Sequence, residues 1–380
     1  MNEMTMKDIM FELCSLTGVG GFEGPIRDWI MEQARPYADE MKVDKMGNLL
    51  VYRRGRQHLD RPLALFAHMD EPGFLVSGIT REGMVQLTGR MPAKSIIGKQ
   101  MEIHRQGMGR EGSEGSEGSE SSEGSVVYGV TGMKADHLQT EEEQKKTPDL
   151  SKLLVDIGCT CEADARELVR EGNVAVPYVE PEMLGCPVGS TGDDGYTSAG
   201  VMMTGRGLAS RAGCAVLLEL LKEEPTCDCW FVFSVSGENW SLVPGKGAML
   251  AARLLNPRLA VVLHAVDTGE GPGVPAEKLN CRCGEGAAIS LQDGDFVFDR
   301  GLRQIMTDEA NEQGVLWQYH TGNKQVTGAG RLASAGGGCF VLPVNLPIRF
   351  LGAEAGVCSL YDLDSMAAMC RIVMEKAGEL

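Results

Sequence analysis

Short apolar runs separated by amphipathic stretches are the first pattern along the chain. Residues 63–67, 230–235 and 259–263 are apolar runs of strand length, while 211–222 and 247–255 repeat apolar positions at helical spacing. That alternation predicts an α/β domain on a mixed, largely parallel sheet flanked by helices. At the start, Thr5 to Asp8 carries a helix-capping pattern, with Met6, Ile9, Met10, Leu13 and Leu16 on one helical face. The middle reads differently: short alternating strands, many glycines and a long polar stretch. It predicts a β-rich domain at 72–195 inserted into an α/β domain formed by 1–71 and 196–380. Within the insert, residues 105–126 repeat Gly, Ser and Glu, with Glu111, Glu114, Glu117, Glu120 and Glu123 at every third position. Such a segment has nothing to bury and its charges repel, so a solvated, disordered loop is expected there. It lies between strand-like residues 100–104 and 126–130, as if lengthening a hairpin turn.

A chain of 380 residues exceeds what one core usually supports, which agrees with two domains. Its 53 acidic residues against 36 basic ones give a net charge of −17, which opposes binding to nucleic acid or an anionic membrane and favours a small or peptidic partner. No stretch approaches the roughly 18 apolar residues of a membrane span, and the N-terminus has no basic segment followed by an apolar one. A cytoplasmic location is expected. The 12 cysteines include three Cys-x-Cys pairs, Cys159/Cys161, Cys227/Cys229 and Cys281/Cys283. Without an export signal or paired CxxC knuckles, reduced packing thiols are the expectation.

In open parallel sheets, ligands bind beyond the carboxyl ends of the strands. The run at 63–67 ends in His68 and Asp70, an imidazole with a carboxylate to orient it. The run at 230–235 is followed by Ser236, Gly237 and Glu238, and the run at 259–263 ends at His264 with Asp267 close behind. Two imidazoles and a carboxylate, His68, His264 and Glu238, are a donor set for one zinc with an open position for water. His58, His104, His137 and His320 have no such setting and read as surface or packing residues.

Thr17 to Glu23, Val43 to Asn48, Phe66 to Phe74, Gly129 to His137, Leu154 to Gly158, Gly205 to Gly213, Asp267-Thr268 and Arg349-Phe350 occur in the order found in one enzyme family. The chain resembles the tetrahedral metalloaminopeptidases, the glutamyl and deblocking aminopeptidase group, some of whose members were once labelled endoglucanases. The resemblance implies an α/β peptidase domain interrupted by a small β-barrel-like domain used in dimerisation, with dimers assembling into hollow particles. It also implies two bridged metal ions, zinc or cobalt, that activate water against the first bond of a short peptide.

Carried over position by position, His68 and Asp70 match the family's first ligand and its orienting carboxylate. The bridging Asp falls at Ala209, the general base at Gly237 and a terminal His ligand at Gly352, while Glu238 keeps a ligand position and His264 stands where the family has an Asp. The resemblance therefore implies a degenerate site: bridge, base and one ligand are missing, and at most weak peptide hydrolysis is expected. The leading reading is a peptide-binding or assembly subunit, homo-oligomeric, with one zinc or cobalt ion or none. An alternative is an active zinc- or cobalt-dependent aminopeptidase with a one-metal site on His68, Glu238 and His264. A third reading draws a full ligand set from Asp267, Asp193, Asp194 or Glu354.

Overall fold

A computed structural model describes residues 4–105, 126–185, 202–238, 244–322 and 327–378. By internal contacts the chain forms two compact units. One comprises Met1–Glu71, Glu180–Leu351 and Ala355–Leu380, and the other Pro72–Val179 with Gly352–Glu354. The return to the first unit comes at Glu180, before the 196 expected from the sequence. The reason is a short strand, Glu182–Met183, that pairs with Met202–Gly205, which in turn pairs with Gly356–Ser359.

The first unit is built on an eight-stranded sheet in the order 40–43, 49–53, 229–234, 63–68, 259–267, 340–348, 287–290, 317–320. Its four central strands are parallel, and antiparallel pairs flank them. Leu63–His68 is buried throughout, as expected of a strand covered on both faces. One cover is the helix Leu208–Leu221, whose apolar residues share a core with Leu63, Leu65 and Ala67. Thr5 and Asp8 form the expected capping box for the helix Met6–Ser15, which buries Ile9, Met10 and Leu13.

The apolar run at 259–263 does not end at His264. The strand continues to Asp267 because it pairs along its whole length with Phe340–Ile348, while its pairing with Leu63–His68 stops at Val262. His264 thus stands beyond its shorter neighbour, half-buried beside the end of that strand.

The second unit is a closed six-stranded barrel in the order 74–79, 85–89, 154–156, 126–132, 100–104, 174–177. All its pairs are antiparallel, and Phe74, Val85, Met101, Ile103 and Val155 fill it. Gln100–His104 and Val126–Gly132 pair as the hairpin read from the sequence, Gln100 opposite Val130. Most of the expected loop at 105–126 lies outside the described residues. Eleven cysteines are described and all are free thiols, among them both members of each Cys-x-Cys pair.

Candidate active site

Register brings the candidate residues together. Leu63–His68 and Cys229–Ser234 run parallel with His68 opposite Ser234, so both chains leave the sheet side by side. Asp70 and the turn at 236–238 then meet. The Asp70 carboxylate accepts hydrogen bonds from Gly237 N at 2.6 Å and Glu238 N at 2.8 Å. Glu23 accepts from Ser236 N at 3.1 Å and Gly21 N at 2.9 Å. Asn48 accepts from Val235 N at 2.9 Å and donates to Asp44 and to Gly247 O. Four successive amides are therefore held by side chains from three other segments. This explains how Ser236, with φ of 52°, keeps a left-handed backbone that a non-glycine residue seldom adopts.

The imidazoles are placed by the same frame. His68 Nδ1 lies 3.0 Å from Asp70 O and 3.5 Å from its carboxylate, which turns the ring so that Nε2 faces away. Burial pushes the His68 pKa down, but the hydrogen bond and charge of Asp70 and the charge of Glu238 outweigh it and hold the pKa above its ordinary value. Asp70 responds in the opposite sense: burial raises it, and His68 with the two amides holds it below the usual carboxylate range. His264 stacks on His68, ring centres 4.7 Å apart and planes inclined by 26°. Burial, and then the charge of His68, push the His264 pKa down to about 3.

Below this pair lies a buried ionic cluster. Glu71 accepts from Gly18 N at 3.0 Å and from Arg211 Nη2 at 2.9 Å, and Arg206 Nε stands 3.2 Å away at an angle short of a hydrogen bond. Arg211 also donates to the carbonyls of Met69 and Leu16, and Arg206 to Thr17. Arg349, from another of the quoted segments, pairs with Glu270 at 3.1 Å. The family-like segments around Glu23, Asn48, Glu71 and Arg211 are thus the site's supports. Sequence reasoning left those four residues without a role; the available signal was a polar side chain inside or closing a Gly-rich motif.

Gly237 decides what this pocket can hold. A Cβ built there would stand 2.2 Å from His68 Cβ and 2.5 Å from its Cγ, so the glycine lets the turn lie directly on the imidazole. Ala209 lies in the first turn of the helix Leu208–Leu221, packed against the main core. Gly352 belongs to the second unit, with φ of 88°.

Among the described residues the donors do not fit a two-metal centre. Among the described residues, no group of three His, Cys, Asp or Glu side chains is placed to hold a metal ion. His68 and His264 meet face to face instead of aiming two nitrogens at one point, and the Asp70 carboxylate is committed to amides. One feature points the other way for a single small ligand: His68 Nε2 is buried without a hydrogen-bond partner. His68 also lines a cavity of about 20 Å³, together with Gly237, His264 and Gly328 among others, room for a water or an ion. Asp193 and Asp194 lie outside the described residues.

The family model described as M42 glutamyl aminopeptidase matches residues 47–369. The chain belongs to that family. The glutamyl aminopeptidase of Lactococcus lactis is 24% identical over 392 residues, covering 99% of each chain. A relative from Acetivibrio thermocellus is 26% identical over 369 residues, covering 96% of this chain and 97% of its own. Among solved structures, the aminopeptidase APDkam598 of the archaeon Desulfurococcus kamchatkensis superimposes with a TM-score of 0.84 at 22% identity, over 98% of this chain and 94% of its own. The sheet flanked by helices and the closed barrel are the M42 fold. Among the described residues no helix is long and apolar enough to cross a membrane.

Proposed function

We propose that this M42 chain has a degenerate site that binds short peptides without the two-metal hydrolysis of an aminopeptidase. The observation that carries the reading is the closeness of Gly237 to His68: a Cβ at 237, where the family correspondence puts the general base, would stand 2.2 Å from His68 Cβ. Alanine at 209 and glycine at 352 remove a bridge and a ligand by the same family correspondence. Loss of a general base alone costs roughly 10²–10⁴-fold in rate. The buried, unpartnered Nε2 of His68 favours a second reading, one zinc or cobalt ion held there with help from Glu238 or His264.

The protein is proposed to self-associate through the barrel unit. The Pyrococcus horikoshii TET1 peptidase, with a TM-score of 0.75 at 23% identity, can assemble into a tetrahedron or a large octahedral shell. A net charge of −17 per chain makes that association depend on salt. Light scattering at moderate salt is expected to show a dimer or larger, and a strict monomer at micromolar concentration removes this part.

Metal content and turnover test the chemistry together. After incubation with zinc or cobalt and desalting, at most one ion per chain is expected. Peptide titrations should show binding, with aminopeptidase turnover far below the order of 10 per second usual for enzymes. Two tightly held ions with ordinary turnover refute the degenerate-site reading.

A further inference from the structure

The amino ends of the central strands, opposite the His68 end, carry a cavity of about 240 Å³ in the first unit. Leu63, Leu259 and Phe340, the first residues of three adjacent strands, line it together with Leu302 and Ile305 of the helix Arg300–Glu312. His68 closes the strand that Leu63 opens, so at about 3.3 Å per residue the two sites lie roughly 16 Å apart. The cavity is therefore separate from the candidate active site. Its mouth is apolar and wet: Phe340 is 53% exposed and Ile305 46%.

Three charged residues share this cavity, and two of them are already committed. Arg61 donates to the carbonyls of Asn256, Pro257 and Gly338. Asp299 caps the helix Arg300–Glu312 by accepting from Leu302 N at 2.7 Å. Arg258 differs. Its backbone is fixed, N to Pro62 O and its carbonyl from Phe340 N, both at 3.0 Å, yet this half-buried residue makes no side-chain hydrogen bond or ion pair with any described residue. A guanidinium beside apolar walls offers a two-pronged seat for a carboxylate whose tail avoids water. Size and charge narrow the ligand. The volume is below the roughly 300–1,000 Å³ of pockets for drug-sized molecules. One uncommitted cation in a cavity that Asp299 also lines suits a monoanion and disfavours a phosphate dianion.

We propose that this cavity binds a small amphipathic carboxylate of the medium-chain fatty acid type, its head on Arg258 and its chain among Leu63, Leu259 and Leu302. Calorimetric titration of the full chain with octanoate, acetate and 1-octanol tests it. Octanoate should bind at least tenfold more tightly than acetate, which lacks the tail. Arg258→Met should weaken octanoate at least tenfold and leave octanol unchanged. Ile305→Asp, on an exposed helix face that tolerates substitution, should weaken both. No octanoate binding at roughly 10 mM, or equal octanoate affinity in Arg258→Met and the unaltered chain, overturns the assignment.

Discussion

The carboxylates and the imidazoles of the candidate site sit side by side and are used in opposite ways. Glu23, Asp70 and Glu71 spend their oxygens on backbone amides and arginines, and each ties one segment to another. His68 is held by Asp70, His264 stacks on His68 and bonds to the backbone of Ala265, and His68 keeps a buried nitrogen with no partner. A carboxylate cross-linked in this way is structural wherever it occurs in the chain. An imidazole with a free buried nitrogen next to a small cavity is where a ligand can act.

The sharpest way to break the contrast is to remove Glu71. Glu71→Ala leaves Arg206 and Arg211 buried without their counter-charge, which should cost about 3–5 kcal/mol in denaturant unfolding. A loss below about 1 kcal/mol would mean that the cluster is not structural.

A second carboxylate extends the comparison away from the site. Asp362 accepts from Gly284 N and Gly286 N, but burial, helped by the charges of Glu270 and Glu285, pushes its pKa up to about 7. That value lies above the roughly 3.9 of an unfolded chain, so the folded protein holds a proton that the unfolded one releases. Its contribution to stability is present below about pH 4 and is lost as pH rises through about 7, by a few kcal/mol at most. Asp362→Asn should flatten unfolding free energy against pH over that window; an unchanged slope would assign the dependence elsewhere.

Gly237→Ala probes the joint between the two groups. The added Cβ meets the His68 ring, so either the turn or the imidazole must shift, at about 1–3 kcal/mol. For the same reason Gly237→Glu should not raise aminopeptidase turnover with zinc or cobalt, and a clear gain of activity would contradict the packing argument. The smallest effect belongs to His264→Phe, which keeps a stacked ring and removes a nitrogen. Stability should change by less than about 1 kcal/mol, and a large loss would give His264 a structural role like that of the carboxylates.

Several of these relations were readable from residue order. The run ending in His68 and Asp70 announced a strand with an imidazole at its carboxyl end, because burial on both faces demands an unbroken apolar run. The shift to alternating strands marked the start of the insert at Pro72, and the hairpin of 100–104 with 126–132 followed from its flanks. The end of the strand through His264 was not legible. His264 interrupts the apolar pattern, while the strand's extent depends on the partner Phe340–Ile348, far along the chain.

The sequence alone determined the α/β class and the inserted β unit, since hydrophobic period is a local property. Only the tertiary structure decided which polar groups are free. Asp70 and Glu23 end on the amides of one turn, Glu71 on two arginines, and His68 Nε2 on nothing, because hydrogen bonds between segments distant in the chain depend on sheet register, which no local pattern encodes.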